Sequence, residues 1–327
     1  MMRYLLLAAL ALLSGPWAGT ALAAETTYRL PSDSAFLLEL NLQAVRNSEV
    51  GGKILDFAME KAVEKLAQKG NTSREEALRQ VEQIVGFNPL EEVKTIAVSA
   101  ADYEEPENSL IAVVQLGKTT GNLEGLLLGL PEYQVTEYEG QQIHSAAPDA
   151  GQTLYVAFVT DEAGNRRILF SPKREAVTGL IDQAASKAAS SEASRDFAIE
   201  QAEDRLLSLK TVKLPEDFQE EGPPANIAKI LKDATLNIDE ADGRVEIKFA
   251  LVAGNEQQAE QLRQMAQGFI AMLEFAKTAN PEDAKLQKIS GLVDDAVTTR
   301  DGATVKVGLQ IPAAEVTALL EEKLKNK

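Results

Sequence analysis

Two stretches of this sequence repeat the same order of short strands and amphipathic helices. Residues 95–98 (Thr-Ile-Ala-Val) and 235–238 (Thr-Leu-Asn-Ile) lie 140 positions apart, and so do residues 169–172 and 309–312, each ending in a Pro that opens a helix. A recurring offset is the signature of an internal repeat. The pattern predicts an α+β fold made of two ββαββα-like units, with antiparallel sheets and helices on one face. Two unrelated α+β units with similar turn chemistry are the alternative.

The first stretch begins with a predicted strand at 35–42 and two predicted helices. Residues 50–67 carry an apolar stripe at three- and four-residue spacing, and Thr72 with Glu75 form a capping-box pattern for a second helix that ends near Gly86. Next come strands at 95–98 and 110–114, a short helix at 122–130, strands around Glu139-Gly140, a hairpin at 154–170 and a helix at 172–181.

The second stretch contains two predicted hairpins and two predicted helices. Strands at 235–238 and 245–252 flank Asp242-Gly243, a pair typical of a type I′ turn. A helix follows at 256–278, then strands at 289–299 and 304–311, and a final helix after Pro312. The apolar stripe expected to pack the long helix onto its sheet is Leu262, Met265, Phe269, Leu273 and Ala276.

Composition predicts where the units meet. Residues 185–195 are rich in Ala and Ser, and residues 214–224 contain three Pro among several acidic side chains. We therefore expect an N-terminal α+β unit with a helical insertion at 24–190, a linker region at 191–225 and a C-terminal α+β unit at 226–327.

The N-terminus has the anatomy of a secretory signal. Arg3 precedes an apolar run at 5–13, a helix-breaking Ser14-Gly15-Pro16 and a small-x-small site ending at Ala23. The run is about half as long as a membrane-spanning helix needs, so an anchor is the weaker interpretation. We expect cleavage after Ala23, leaving a periplasmic or secreted chain without a transmembrane segment. The absence of Cys favours a bacterial envelope source over a eukaryotic extracellular one.

Charge and residue supply exclude several functions. Loss of Arg3 leaves 32 basic against 50 acidic side chains, a net charge of −18 that repels nucleic acid. The single Trp lies in the predicted signal, which disfavours a carbohydrate site. One His, His144, and no Cys remove most zinc, copper and non-haem iron sites and all thiol nucleophiles. His144 could act as a lone general base, but a surface or half-buried strand histidine is the ordinary case.

Partial motifs do not complete a site. Gly117-Lys118-Thr119 resembles the end of a phosphate loop, but the Gly required five residues earlier is Ala112. Residues 239–243 suggest calcium, yet the EF-hand frame places Ile238 and Phe249 at ligand positions. The remaining acidic clusters are interpreted as loop or strand-end carboxylates: Asp294 and Asp295, and Asp102, Glu104 and Glu105. We predict no catalytic, metal-binding or cofactor-binding residues and no cofactor.

Met residues on the helices have two interpretations. Met59, Met265 and Met272 fall on apolar stripes, where Met usually fills core space. The same side chains could instead line an adaptable groove for a lipid or a peptide.

Several segments resemble a loose group of exported bacterial proteins classed only as domains of unknown function. They are residues 30–31 before the first strand, 85–93 leading into a strand, 138–143 as a strand pair and 255–259 opening the long helix. The resemblance implies export and an α+β architecture and carries no activity.

We therefore expect the protein to act by binding rather than by catalysis. We predict a non-enzymatic exported envelope protein that binds a partner protein or an apolar ligand. The alternative is a carboxylate-dependent hydrolase of the envelope, which requires two acidic side chains converging in a concave site.

Overall fold

A computed structural model describes residues 25–325, apart from 71–72, 74–75, 77–78, 80–82, 84–85, 118–122, 150–151, 161–163, 165, 186–193, 216–222 and 283–295. The predicted signal sequence at 1–23 lies outside the described residues. The chain divides into two compact units. The N-terminal unit comprises residues 25–47 and 51–199, and the C-terminal unit comprises 48–50 and 200–327.

The N-terminal unit is a mixed sheet-and-helix domain. Its strands are β1 (Glu25–Pro31), β2 (Phe36–Asn41), β3 (Val93–Ala100), β4 (Ile111–Leu116), β5 (Gln134–Tyr138), β6 (Gln141–Asp149), β7 (Gln152–Thr160), β8 (Arg166–Ser171) and β9 (Ser194–Glu200). Its helices are α1 (Leu42–Asn47), α2 (Glu49–Gly70), α3 (Pro89–Glu92), α4 (Leu123–Leu127) and α5 (Arg174–Ala184), with a 3₁₀ turn at Pro106–Asn108. The main sheet has the order β2-β3-β4-β8-β7-β6-β5, and β1 pairs separately with β9.

Three predicted hairpins of this unit are confirmed. β3 pairs with β4, β5 with β6 and β7 with β8, all antiparallel. Glu139 and Gly140 between β5 and β6 have φ angles of 50° and 76°, as a type I′ turn requires. The β5–β6 hairpin lies at the edge of the sheet and gives this unit one more hairpin than a ββαββα repeat contains.

The C-terminal unit has five described strands and three described helices. They are β10 (Arg205–Thr211), α6 (Pro223–Ile230), β11 (Leu231–Ala241), β12 (Arg244–Ala253), α7 (Glu256–Ala279), β13 (Val297–Asp301), β14 (Thr304–Pro312) and α8 (Ala313–Lys325). The sheet order is β13-β14-β12-β11-β10. Asp242 and Gly243 have φ angles of 51° and 70°, which confirms the predicted type I′ turn between β11 and β12.

The helices of the C-terminal unit cover one face of its sheet, as predicted. Alternate residues of β12 point to the same face, and Val245 and Ile247 pack with Ala313 and Val316 of α8. Further along the strand, the same face packs against Leu262 of α7. The other face, called the polar face below, carries Asp239 of β11 and Glu246 and Lys248 of β12.

The residues of the predicted linker are partly folded. Within 191–225 the chain forms β9, β10 and the start of α6, and Phe197 of β9 and Leu206 of β10 are buried. The predicted linker region thus contains two strands, at 194–200 and 205–211, and the boundary between the two units, after residue 199, falls within it. Composition did not indicate these strands because Ala/Ser-rich and Pro-rich segments flank them.

Two predicted helix stripes also differ from the structure. In the first turns of α2, Val50 is buried, whereas Ile54 is 49% exposed. In α7 the predicted core position Phe269 is 37% exposed. The capping pair Thr72 and Glu75 lies outside the described residues, but the Ser73 hydroxyl accepts a hydrogen bond from the Glu76 N–H.

Candidate functional site

The polar face of the C-terminal sheet carries a buried charged network. Asp239 of β11 pairs in register with Arg205 of β10 on one side and with Glu246 of β12 on the other. The guanidinium of Arg205 donates to both carboxylate oxygens of Asp239, and Lys248 Nζ lies 3.1 Å from Asp239 Oδ2 and 2.5 Å from Glu246 Oε2. Arg205 and Asp239 are 6% and 3% exposed. Adjacent strands thus place two acids and two bases in one row.

This network is neutralised rather than poised for catalysis. Asp239 and Glu246 are the described acids that best match the paired carboxylates of a hydrolase, because they face each other across neighbouring strands. Lys248 contacts both of them. Burial lowers the pKa of Lys248, but hydrogen bonds to Glu246 and Asp239 outweigh burial and raise it, so the ammonium stays charged. Both acids are therefore ion-paired to a cation, and Asp239 is buried beneath the surface.

His144 is more buried than predicted. It lies on β6 and is 4% exposed, where a surface or half-buried position was expected. Its Nδ1 lies 2.9 Å from the Tyr133 hydroxyl, and the Phe158 ring packs edge-on against it. Burial lowers its pKa, so the imidazole is neutral at pH 7. The nearby Glu124 carboxylate binds Arg166, and in the described part of the chain no carboxylate hydrogen-bonds to His144.

The acidic motifs of the sequence have structural roles where they are described. Asp102 Oδ1 accepts the backbone N–H groups of Glu104 and Glu105, which closes a local turn. Asp239 belongs to the ion network, and Asp242 to a hairpin turn. Asp294 and Asp295 lie outside the described residues, as do Lys118 and Thr119. Within the described residues, no group of three potential metal ligands converges.

Two grooves of the C-terminal unit lie beside α6 and share Lys229. The lysine groove has a volume of about 310 Å³ and is lined by Thr211, Val212, Lys213, Leu214, Ala228, Lys229, Leu231, Lys232 and Asp233. The helix groove, about 570 Å³, is lined by Asn226, Lys229 and Ile230 near α6 and by Gln261, Gln264 and Met265 of α7. Neither groove was predicted from the sequence, because each combines residues from separate elements.

Among its described lining residues, the lysine groove contains one carboxylate, that of Asp233, and the pKa of this carboxylate is perturbed. Burial raises the pKa of Asp233, while the charges of Lys210 and Lys232 lower it and only partly offset burial. The described lining residues therefore supply one of the two acidic side chains that a two-carboxylate hydrolase needs. The groove is otherwise basic in a chain whose net charge is strongly negative.

The helix groove continues into an uncharged face of α7. Asn255 begins this helix by accepting the Gln258 N–H at 2.9 Å, and Ala259 and Leu262 anchor its first turns on the sheet. The opposite side is uncharged over five turns: Gln261, Gln264, Met265, Gly268, Ala271, Met272, Phe275, Ala276 and Ala279. We call these nine residues the α7 face.

Two large apolar side chains of the α7 face point into solvent. Met272 is 58% exposed and Phe275 is 74% exposed, and Phe269 at the margin of the face is 37% exposed. On one flank of the face, Glu260 binds Arg263 and Arg300, and the hydrogen bond from Arg263 lowers the pKa of Glu260 to about 2. The outer side of a helix packed on a sheet normally carries charge. Of the two interpretations of Met272, core filler and lining of an adaptable surface groove, its exposure argues against the first.

Comparisons with known proteins provide no function that can be assigned to this chain. No protein-family model matches the chain, and no curated protein matches it. Among the solved structures that match are crystal forms I, III and IV of TP0453, with TM-scores of 0.37, 0.37 and 0.39 and identities of 8%, 9% and 8%. These alignments cover 90%, 90% and 89% of this chain and 95%, 96% and 96% of the respective structures. A likeness at this level carries no argument about function.

Proposed function

We propose that this chain is a non-enzymatic exported envelope protein that binds a partner protein through the α7 face and the adjoining helix groove. The observation that carries the proposal is the pair Met272 and Phe275, exposed together on an uncharged helix side. A contiguous apolar patch with a polar border is typical of an interaction surface. Export, with cleavage after Ala23, is part of the proposal and rests on the sequence of the first 23 residues.

The shape of the surface favours a helix of the partner as occupant. From Gln261 to Ala279 the α7 face extends about 27 Å at 1.5 Å per residue, which matches an amphipathic helix of about five turns. Met side chains adapt to varied apolar partners. An apolar small-molecule cargo would need an enclosed aliphatic cavity, whereas four of the six residues lining the helix groove are polar.

Charge selects the kind of helix that fits. Lys229 is the one charged residue among those lining the helix groove, and it lies near the N-terminal half of the α7 face. A partner helix with apolar residues at three- and four-residue spacing and an acidic residue at the end that meets Lys229 would complement both features.

A displayed library of 20-residue amphipathic helices tests this function without a known partner. Peptides selected on the wild-type protein are expected to share that apolar spacing and a terminal acid, and a consensus peptide is then titrated by fluorescence anisotropy. The double variant Met272→Glu/Phe275→Glu should bind it at least about tenfold more weakly, because two carboxylates would be buried in an apolar contact.

The matched control alters two exposed apolar side chains of the N-terminal unit. Leu128→Glu/Val135→Glu adds the same charge to residues that are 65% and 44% exposed, and peptide affinity should not change. Equal loss in both variants would contradict the proposal. So would a dimer of the protein, measured by analytical ultracentrifugation, that Met272→Glu/Phe275→Glu abolishes, because a second copy would then be the occupant.

A carboxylate-dependent hydrolase remains the alternative, with Asp239 and Glu246 as its candidate pair. It predicts hydrolysis of chromogenic glycosides that Asp239→Asn and Glu246→Gln each abolish. The neutralising contacts of Lys248 and Arg205 argue against it. Activity lost in both variants while folding is retained would replace the binding proposal.

We also propose that the two units are copies of one ββαββα unit. Support comes from the matching strand orders β3-β4-β8-β7 and β11-β12-β14-β13. In each unit a helix follows the second strand, α4 or α7, and another follows the last strand, α5 or α8. The β5–β6 hairpin would then be an insertion in the N-terminal copy.

A further inference from the structure

The lysine groove has the chemistry of a site for a small anion with an apolar body. Lys213, Lys229 and Lys232 bring three ammonium groups to one depression of about 310 Å³. None of the salt bridges found between described residues involves any of these three lysines. In a protein with an excess of 17 negative charges, this groove places three positive side chains beside one negative side chain, that of Asp233, which favours an anionic ligand.

The rest of the lining is apolar enough to hold more than a bare ion. Val212, Leu214 and Leu231 share the groove with the lysines and are partly buried. Inorganic phosphate would accept hydrogen bonds from the ammonium groups but would leave this apolar surface in contact with water. An alkyl or aryl group attached to the anion would cover it and gain the free energy of apolar burial.

Asp233 opposes an anion at this position. It lines the same groove, is half-buried, and lies near Lys210 and Lys232. A second carboxylate or a phosphate entering the groove would meet its negative charge as well as the lysines. Removing that charge without changing the size of the side chain should therefore strengthen binding.

From this juxtaposition we propose that the lysine groove binds an amphiphilic anion, either an acyl carboxylate or an alkyl phosphate, through Lys213, Lys229 and Lys232. The lysine groove shares Lys229 with the helix groove but contains none of the nine residues of the α7 face, and its occupant is a small molecule rather than a protein. The proposal does not depend on the proposed partner helix.

Isothermal titration calorimetry with octanoate, octyl phosphate and inorganic phosphate tests it on the full mature chain. Octanoate or octyl phosphate is expected to bind with 1:1 stoichiometry and more tightly than inorganic phosphate. Lys213→Gln/Lys232→Gln should weaken that binding about tenfold, and Asp233→Asn should tighten it severalfold. A preference for octyl phosphate or for octanoate distinguishes the two headgroups.

The control variants separate this site from other effects. Lys61→Gln/Lys173→Gln removes the same charge from exposed lysines of the N-terminal unit and should leave affinity unchanged. Met272→Glu/Phe275→Glu should also leave it unchanged, so failure of the partner-helix proposal would be seen separately. Unchanged affinity in the Lys213/Lys232 variant, or equal affinity for inorganic phosphate and its octyl ester, would overturn the inference.

Discussion

Asp239 illustrates how a single buried charge is held in this protein. Removing a carboxylate from water costs several kcal/mol unless partners replace the lost hydration. Arg205 supplies two hydrogen bonds to Asp239, Lys248 supplies a third, and the Glu200 carbonyl and Ser208 hydroxyl satisfy the remaining Nη1 donor of Arg205. The group therefore acts as a structural link between β10, β11 and β12.

Arg205→Met tests this role. The change leaves Asp239 buried with Lys248 as its remaining cation, so the free energy of unfolding should fall by about 3 kcal/mol, measured by urea denaturation. Arg29→Met removes a more exposed ion pair with Asp196 and should lower the free energy of unfolding by clearly less than Arg205→Met does. Equal losses in the two variants would contradict a special role for the buried network.

The single histidine makes a pH test specific. The pKa of His144 in the folded chain lies below its ordinary value of 6.5, because burial disfavours the charged ring. As the pH falls below about 6.5, the unfolded chain therefore binds a proton that the folded chain does not, and stability is lost.

His144→Gln should remove that part of the pH dependence while keeping an acceptor for Tyr133. Urea unfolding at pH 7.5 and pH 5.5 should show a smaller loss of stability at the lower pH in the variant than in wild type. Asp233, whose raised pKa acts in the opposite direction, is present in both proteins and cancels from the comparison. Identical pH slopes would show that His144 is accessible to protons in the folded state.

At the scale of elements, α7 has one side packed on the sheet and one side in solvent. Asn255 caps the helix, and Ala259 and Leu262 are buried on the sheet side, whereas Met272 and Phe275 on the α7 face are exposed. Periodicity predicted the helix almost to the residue but also predicted Phe269 as core. A stripe of apolar residues indicates that a helix has a face to bury, and the elements that pack against the helix decide how much of that face is buried.

Alanine substitutions along α7 should reveal this division. Leu262→Ala removes a side chain that is 2% exposed and should lower the free energy of unfolding by about 3 kcal/mol through lost burial and a cavity. Met272→Ala should change it by about 0.5 kcal/mol or less, since the side chain is already in solvent. Chemical denaturation of the two variants checks this, and a large loss in Met272→Ala would mean that the α7 face is already covered within the protein.

At the scale of the whole molecule, the local sequence predicted some strands of the two units and missed others. The hairpins at 134–149 and 231–253 have strong turn signals, Glu139-Gly140 and Asp242-Gly243, and both were predicted. The strands β9 and β10 have no such signal and lie between low-complexity segments, so composition predicts a linker there. Phe197 and Leu206 in these strands are buried because of contacts with residues distant in the chain, which composition does not encode.

Local physical chemistry determined the α+β class, the type I′ turns and the start of α7, because each depends on residues within a few positions of one another. The poor supply of reactive side chains was equally plain from the sequence, since one imidazole and no thiol are facts of composition. Only the tertiary structure decided that Asp239 meets Arg205 and Lys248, that three lysines share a groove and that Met272 faces water. Those outcomes depend on strand order and on which elements pack against a helix. Both bring together residues that are far apart in the chain.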